Sequence, residues 1–296
     1  MSGDAAHGAD LHLHTVYSDG TYSPQELVAA ARRVRLASIA VTDHDTLDGV
    51  RPTREAAGAN GPEVIAGVEF GTATDDNSVD EIHITGLFLD ETHVELLETL
   101  ERQRLQRRER ALEMVAQVNR CGMRLDAEDV FALAPRGNVS RLHIAKALLQ
   151  RGHVGTLGEA FARWIGQNGP AFVPRMRPPI VEIIALIHRA GGIAVMAHPA
   201  KTNRDGDIPA MVAAGLDGIE AFGGDSTRDH EKRYLEMAKE LGLLPCGGSD
   251  CHGSHKDRTV LGQVRLDKER LEALRERAAR FQVSGVRNGA RVPTDT

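Results

Sequence analysis

Short apolar runs recur along this chain, most of them closed by or carrying a histidine or an acid and most followed by a helical pattern. That rhythm constrains the fold more than any other feature. "ADLHLHT" leads into "SPQELVAAARRVR", where Ser23, Pro24 and Glu26 form a helix-start signal. "LASIAVTDHD", "EVIAGVEF" and "DEIHITGLFL" follow. "GGIAVMAHPAK", "LDGIEAFGG" and "LLPCGGSDCHG" come much later, separated by helical patterns such as "PPIVEIIALIHRA" and "STRDHEKRYLEMAKELG". Alternating strand and helix signals imply βα units and a mainly parallel sheet. About seven or eight strands fit a closed (β/α) barrel better than an open sheet.

In such a barrel the strand ends converge on one mouth, where active sites lie. The runs end in, or carry, His12, His14 and then Asp19, His44, Glu69, His83, His198, Asp250 and His252. Side chains alternate along a strand, so His12 and His14 point the same way and can grip one cation. Imidazole with carboxylate suits zinc, manganese or iron. One ion takes about four to six ligands, so this set implies two or three ions in a cluster. A lone His-x-His or "TDHD" carries little weight; the weight comes from all of these residues falling on predicted strands or just beyond them. His7, His93, His153, His188, His230 and His255 fall elsewhere and read as ordinary surface or core histidines.

The stretch from about Glu91 to Phe172 breaks the rhythm. "VELLETLERQRLQRRERALEMVAQVNRCG" reads as one long charged helix, ended by Gly122, with Leu97, Leu100, Leu105, Leu112 and Val115 as its apolar stripe. "DAEDVFALA", "SRLHIAKALLQRG" and "TLGEAFARWIGQNG" read as shorter helices. The six arginines from Arg102 to Arg120 read as a solvated face offset by glutamates. The expected organisation is a barrel over 9–92 and 173–285, a helical insertion over 93–172, and a tail over 286–296.

Composition excludes several classes. The chain is 41% apolar and 26% charged, as globular proteins are. No window approaches a membrane span of about 18 apolar residues, and "MSGDAAHGAD" lacks the pattern of a secretory signal. Three scattered cysteines without a CxxC pair suit a reducing, cytoplasmic setting. A net charge of −6 offers no field for duplex nucleic acid or an anionic membrane. With 4% aromatics, stacking platforms for long single strands are not expected. An anionic substrate must therefore be drawn in locally, by arginine or by metal.

The segments "DLHLHTVYSDGTYSP", "IAVTDHDTLDG", "GVEF", "EIHITGLF", "SRLHIAKALLQRG", "AFVPR", "GGIAVMAHPAK", "DGIEAF" and "GGSDCHG" together resemble the polymerase and histidinol phosphatase (PHP) family of metal-dependent phosphoesterases. They run in the family's order over most of the chain. The resemblance is strongest to small members with a helical insertion, the nucleotide phosphatase and 5′-3′ exoribonuclease-like branch. It implies a distorted seven-stranded TIM-like (β/α) barrel and a trinuclear site. His12, His14, Glu69 and Asp250 would hold one ion. Glu69 would bridge to a second, held by His83 and His198. Asp19, His44 and His252 would hold a third. Manganese is the first expectation, zinc and ferrous iron the others.

The implied activity is hydrolysis of nucleoside 5′-monophosphates, 3′,5′-bisphosphates or short oligoribonucleotides, with metal-activated hydroxide attacking phosphorus. The expected partner is a small phosphorylated substrate, with short RNA included, and neither duplex nucleic acid nor membrane; oligomeric state is unreadable. A phosphate also suits a guanidinium fork. Arg141 is the first candidate, since in related enzymes its motif contacts substrate phosphate, and Arg175 is the second. Ser140 either touches substrate or simply caps the helix. His143 follows Arg141 on the same motif. Asp43 and Asp45 flank His44 and read first as supports that orient it, with Asp43 kept among the catalytic candidates beside Arg141 and His143. Cys251 stands where the family usually has an aromatic, and "EAFGGDST" is less aromatic than expected; both put the pocket's shape in doubt. The alternatives are a histidinol-phosphate-like or sugar-phosphate phosphomonoesterase, which would use the same ligands, and a non-catalytic PHP-like binding module, which the full ligand set disfavours.

Overall fold

The computed structural model describes residues 7–73, 81–135, 138–253 and 261–285. Its first elements are β1 (Ala9–Leu13), α1 (Pro24–Arg33), β2 (Ser38–Val41), α2 (Val50–Ala57), β3 (Glu63–Thr72) and β4 (Ile82–Leu87). Next come α3 (Val94–Arg120), α4 (Ala127–Ala132), α5 (Arg141–Gln150) and α6 (Leu157–Ala160), which runs into a π turn at Phe161–Ile165. The rest is α7 (Ile180–Arg189), β5 (Ile193–Met196), α8 (Pro199–Thr202), α9 (Ile208–Ala213), β6 (Gly218–Gly223), α10 (Arg228–Leu241), β7 (Leu244–Gly248) and α11 (Lys268–Gly285). His255 and the tail read at 286–296 lie outside the described residues, as does most of the N-terminal leader.

Local chemistry sets the starts and stops. Ser23 caps α1: Glu26 N donates to its Oγ at 3.3 Å, and Ser23 N donates back to Glu26 Oε2 at 2.8 Å. Gly122, at φ 86°, follows the end of α3 and takes the left-handed turn that L side chains resist.

The seven strands form one sheet in sequence order. The ends of β1 and β7 meet: His14 N donates to Cys251 O and Asp250 N to His12 O, both at 3.0 Å. The result is a nearly closed, distorted TIM-like barrel. β4 departs from the parallel expectation, because it runs antiparallel to both β3 and β5. His83, at the start of β4, therefore lies at the same mouth as the ends of the other strands. The chain then leaves β4 at the opposite end of the barrel. α3, 27 residues and about 40 Å long, carries it back. Near its foot Glu95 pairs with Arg189 at the end of α7, while further along Arg107 reaches Asp45 beside the mouth.

The described residues form three apolar cores. Leu11, Ala40, Ile65, Leu87, Val195 and Cys246 pack together below the mouth, so the barrel is filled and not a pore. Leu271, Leu274 and Ala278 of α11 join this core. Arg275 and Arg277 pin that helix to Glu63 and Asp217, at the starts of β3 and β6. A second core joins the strands to the outer helices through residues such as Leu27, Val50, Ile184 and Ile187. The helices between β4 and β5 have their own core, including Met114, Val118, Val130, Ile144 and Leu148. Each such side chain stabilises by about 1.5–3 kcal/mol relative to exposure.

The apolar stripe of α3 is not the one expected from the sequence. Leu100 and Val115 are buried, but Leu97, Leu105 and Leu112 are 43%, 46% and 44% exposed. The buried line runs through Leu96, Leu100, Gln103, Arg107, Ala111, Met114 and Val118, with steps of three and four that follow the helical period. Arg107 is thus no part of a solvated face.

Candidate metal centre

A bulge aims the first ligands. β1 pairs Asp10 with Ile39, but further on Leu13, not His12, faces Val41. The extra residue re-aims the side chains that follow it. Leu11 packs in the barrel's interior while His12 and His14 both reach the mouth, their Nε2 atoms 3.1 Å apart. Gly248 makes room for this, since a Cβ there would fall 2.2 Å from that of His12.

Glu69, fully buried on β3, is the hub. Its Oε2 lies 3.3 Å from His12 Nε2, 3.2 Å from His14 Nε2 and 2.9 Å from His44 Nδ1. Its Oε1 lies 2.7 Å from His83 Nδ1 and 2.9 Å from His198 Nε2. One carboxylate thus faces two sets of imidazoles. Asp250 Oδ1 is 3.3 Å from His14 Nε2 and 3.7 Å from His12 Nε2. Asp19 Oδ1 is 3.3 Å from His252 Nε2 and 3.9 Å from both His14 Nδ1 and His44 Nε2. Asp45, His198 and Asp250 take left-handed φ values of 51°, 30° and 53°. Such strain concentrates where geometry is functional.

All nine strand-end residues of the sequence expectation meet here. They make four overlapping groups with ligand atoms within 4.8 Å of one another. The groups are His14, Asp19, His44 and His252; His12, Glu69 and His198; His12, His14 and Asp250; and His44, Glu69 and His83. These residues fit divalent cations on two grounds. Glu69 Oε2, Asp19 Oδ1 and His198 Nδ1 are buried without a hydrogen bond, a cost that a cation removes. The donor set is mixed imidazole and carboxylate, as transition metals prefer.

Without an ion, protons play the cation's part. Burial pushes the Glu69 carboxyl up, but His44, His83 and His12 more than offset this and hold it well below the usual range. Asp19 and Asp250 are likewise held low against burial, by His44 and His252 and by His14 and His12. Burial lowers the imidazoles in turn, yet Glu220 and Glu69 push His12 well up, and Glu69 with Glu81 raises His83 to about 10.

Several supports were not singled out from the sequence. Glu220 on β6 accepts at 2.7 Å from His198 N and lies 2.7 Å from His12 Nδ1, so it orients two histidines from two strands. The signal was present: one acid inside the apolar run "GIEAF". Glu81 lies 2.9 Å from His83 Nε2 and pairs with Arg177. Lys201 holds Asp250 Oδ2. Glu220→Gln is expected to weaken metal binding about tenfold to a hundredfold, the usual cost of losing such a partner, read from bound metal at fixed free-ion concentration.

The remaining candidates belong to none of these four groups. Asp43 is fully buried, and its oxygens accept from Thr15 N, Thr15 Oγ1 and Ser18 Oγ at 2.6–2.7 Å; it braces the loop leading to Asp19. Arg175 is nearly buried and donates to Asp45 Oδ2 and to Gln103 Oε1. Arg141 opens α5, 5.8 Å from the rings of Phe161 and Phe172. Ser140 precedes it, and Ser140 N donates to His143 Nδ1 at 3.0 Å. Cys251 packs in the core with Leu13 and Leu27. Of the histidines set aside, His93 caps α3, His153 meets Arg124 O, and His188 meets Asp217.

Relatives share this architecture. The family model for the PHP domain matches residues 10–156. A 5′-3′ exoribonuclease of Haemophilus influenzae is 38% identical over 82% of this chain and 89% of its own. A 3′,5′-nucleoside bisphosphate phosphatase of Chromobacterium violaceum is 29% identical over 82% of this chain and 86% of its own. A crystal structure from Bifidobacterium adolescentis, provisionally described as a metal-dependent phosphoesterase, superposes with a TM-score of 0.82 at 32% identity, covering 92% of this chain and 96% of that one. Barrel, ligand clusters and relatives together define a metal-dependent phosphoesterase. The chain belongs to the PHP family. No helix among the described residues is long and apolar enough to cross a membrane.

Proposed function

We propose that this chain hydrolyses phosphate esters of nucleotides: nucleoside 5′-monophosphates, 3′,5′-bisphosphates or short oligoribonucleotides. The observation that carries the reading is the two-sided Glu69 carboxylate amid five imidazoles. The names of the two relatives, an exoribonuclease and a nucleoside bisphosphate phosphatase, support the substrate class. In this reading His12, His14, Asp250 and Glu69 hold one ion, Glu69 with His83 and His198 a second, and Asp19, His44 and His252 a third. Manganese is the first choice, then zinc or ferrous iron. When bound, such ions lower the pKa of a coordinated water and neutralise phosphate charge.

The chain's own side chains supply the rest. Among the described residues no carboxylate pairs with Arg141. Burial lowers its pKa, Glu81 opposes this, and Arg177 and Arg107 add to the lowering. Such a cation gains from an anionic ligand, and its fork suits phosphate. In this reading His143, whose Nδ1 accepts from Ser140 N, acts on the substrate together with Arg141 of the same motif. Arg175 and Asp43 act from behind, on Asp45 and on the loop leading to Asp19. The insertion over 93–172 governs specificity on a barrel formed by 9–92 and 173–285. The three cysteines are free thiols, which supports a cytoplasmic setting.

Arg141→Ala is expected to raise KM about tenfold to a hundredfold, the worth of a charged hydrogen bond, with bound metal unchanged; steady-state kinetics beside metal analysis would check both. The deciding experiment is phosphate release by manganese-loaded protein. Its panel holds nucleoside 5′-monophosphates, adenosine 3′,5′-bisphosphate, a 5′-phosphorylated dinucleotide, histidinol phosphate and a sugar phosphate. Turnover confined to the last two would replace the nucleotide reading with a metabolite phosphatase.

A further inference from the structure

The dipeptide His44-Asp45 follows β2 and brings the His44 imidazole to the metal centre. Asp45 is a non-glycine residue at φ 51°, and such a conformation persists only where the surroundings hold it. On the barrel side, Asp45 N donates to Glu69 O at 3.1 Å. The His44 ring also faces Glu69 Oε2 at 2.9 Å, but among the described residues the hydrogen bonds to the His44 carbonyl and to the Asp45 carboxylate come from the helical segment between β4 and β5. Asn138 Nδ2 donates to His44 O. Arg107, from α3, donates through Nε to Asp45 Oδ2 at 2.7 Å. Arg175, on the segment returning to the barrel, donates to the same oxygen and to Gln103 Oε1 of α3. Asp45 is fully buried, and Arg107 and Arg175 are 9% and 5% exposed.

Two buried guanidiniums on one carboxylate oxygen are an expensive way to fasten helices to a barrel, because each ion loses its water. Apolar residues would fasten them as well. What the charged clamp adds is direction, since it fixes one backbone carbonyl and one carboxylate beside one imidazole. Asn138 also lies three residues before Arg141. The loop that presents Arg141 is therefore tied to the backbone of His44.

We propose that Arg107, Asn138 and Arg175 are positioning residues that make the His44 arm of the metal centre depend on the docked insertion. The ion assigned to Asp19, His44 and His252 is then complete only when the insertion, with its Arg141 loop, is seated over the mouth. This rests on the metal reading above and is independent of which phosphate ester is cleaved.

The test uses the full chain with Arg107→Met, Asn138→Ala and the conservative Arg107→Lys. Arg107→Met leaves Asp45 paired one-to-one with Arg175, so no bare buried carboxylate remains and the fold should hold. Bound manganese per chain is measured at buffered free-ion concentrations, with thermal melting of the metal-free variants and a kcat and KM split. The expected result is a normal melt with one ion weakened about tenfold to a hundredfold and the others unmoved. The rate loss should fall on kcat, and Arg107→Lys should recover part of both. Unchanged affinity for every ion would overturn the proposal, because the dipeptide would then hold itself. Equal weakening of all ions with a lowered melt would overturn it too, leaving a structural role alone. A wild-type chain that binds no ion would sink the metal reading itself, and the coupling with it.

Discussion

Glu69→Gln is expected to cut kcat by about a thousandfold, close to 4 kcal/mol of lost transition-state stabilisation, and to strip bound metal from more than one position. The argument is geometric. Each oxygen of Glu69 faces its own imidazoles, Oε1 toward His83 and His198 and Oε2 toward His12, His14 and His44. Glutamine keeps the shape but turns one oxygen into an amide donor, which repels a cation and cannot serve as its ligand. Whichever way the amide settles, both imidazole sets lose their anionic partner, and one of them also loses its acceptor. The metal-free chain should also melt lower, since removing one member of a buried charge network leaves the others uncompensated. Phosphate release and bound manganese, measured on the same preparation, check both parts. A variant with wild-type kcat would show that Glu69 binds no catalytic ion.

The ligand residues could be found in the sequence because they stand at strand ends, where an apolar run followed by a lone histidine or acid is visible without any tertiary information. His83 shows the limit. Its strand was legible, but the strand's direction was not, because direction depends on how the chain returns. One sign was available: residues 73–81, between β3 and β4, are shorter than the dozen or so that a parallel crossover requires. Arg107 was missed for another reason. A charged residue on a helix is normally solvated, and the alternative stripe through Leu97, Leu105 and Leu112 made an apolar face of the right period. Only the three-and-four spacing through Leu100, Ala111, Met114 and Val118 marks Arg107 as inward-facing. The bulge in β1 is invisible locally, since it depends on the register with β2. Cys251, which raised a doubt about the pocket, has its side chain in the core with Leu13 and Leu27.

Manganese is expected to raise the melting temperature more at about pH 8 than at about pH 6. In the metal-free chain His12, His14 and His83 have raised pKa values against the pull of burial, chiefly through Glu220, Asp250 and Glu69. Their stabilisation is fully present below the unfolded value of about 6.5 and is lost as pH rises through the folded values. Asp19, Glu69 and Asp250 are depressed; their stabilisation is present above the unfolded value of about 4 and is lost as pH falls through the folded values. Stability of the metal-free chain should therefore peak between about pH 4.5 and 6.5 and decline beyond it. A cation takes the same imidazoles without their protons, so binding releases protons and tightens as pH rises. At fixed free metal each tenfold tightening adds about 1.4 kcal/mol, worth roughly 2 °C in a chain of this size. Melting of chelator-treated and manganese-loaded protein across this range would read the gap directly. Calorimetry in buffers of different ionisation enthalpy would count the released protons. A gap that stays constant with pH, and no proton release, would mean that the imidazoles carry no protons to exchange and that the charge balance around Glu69 is held some other way.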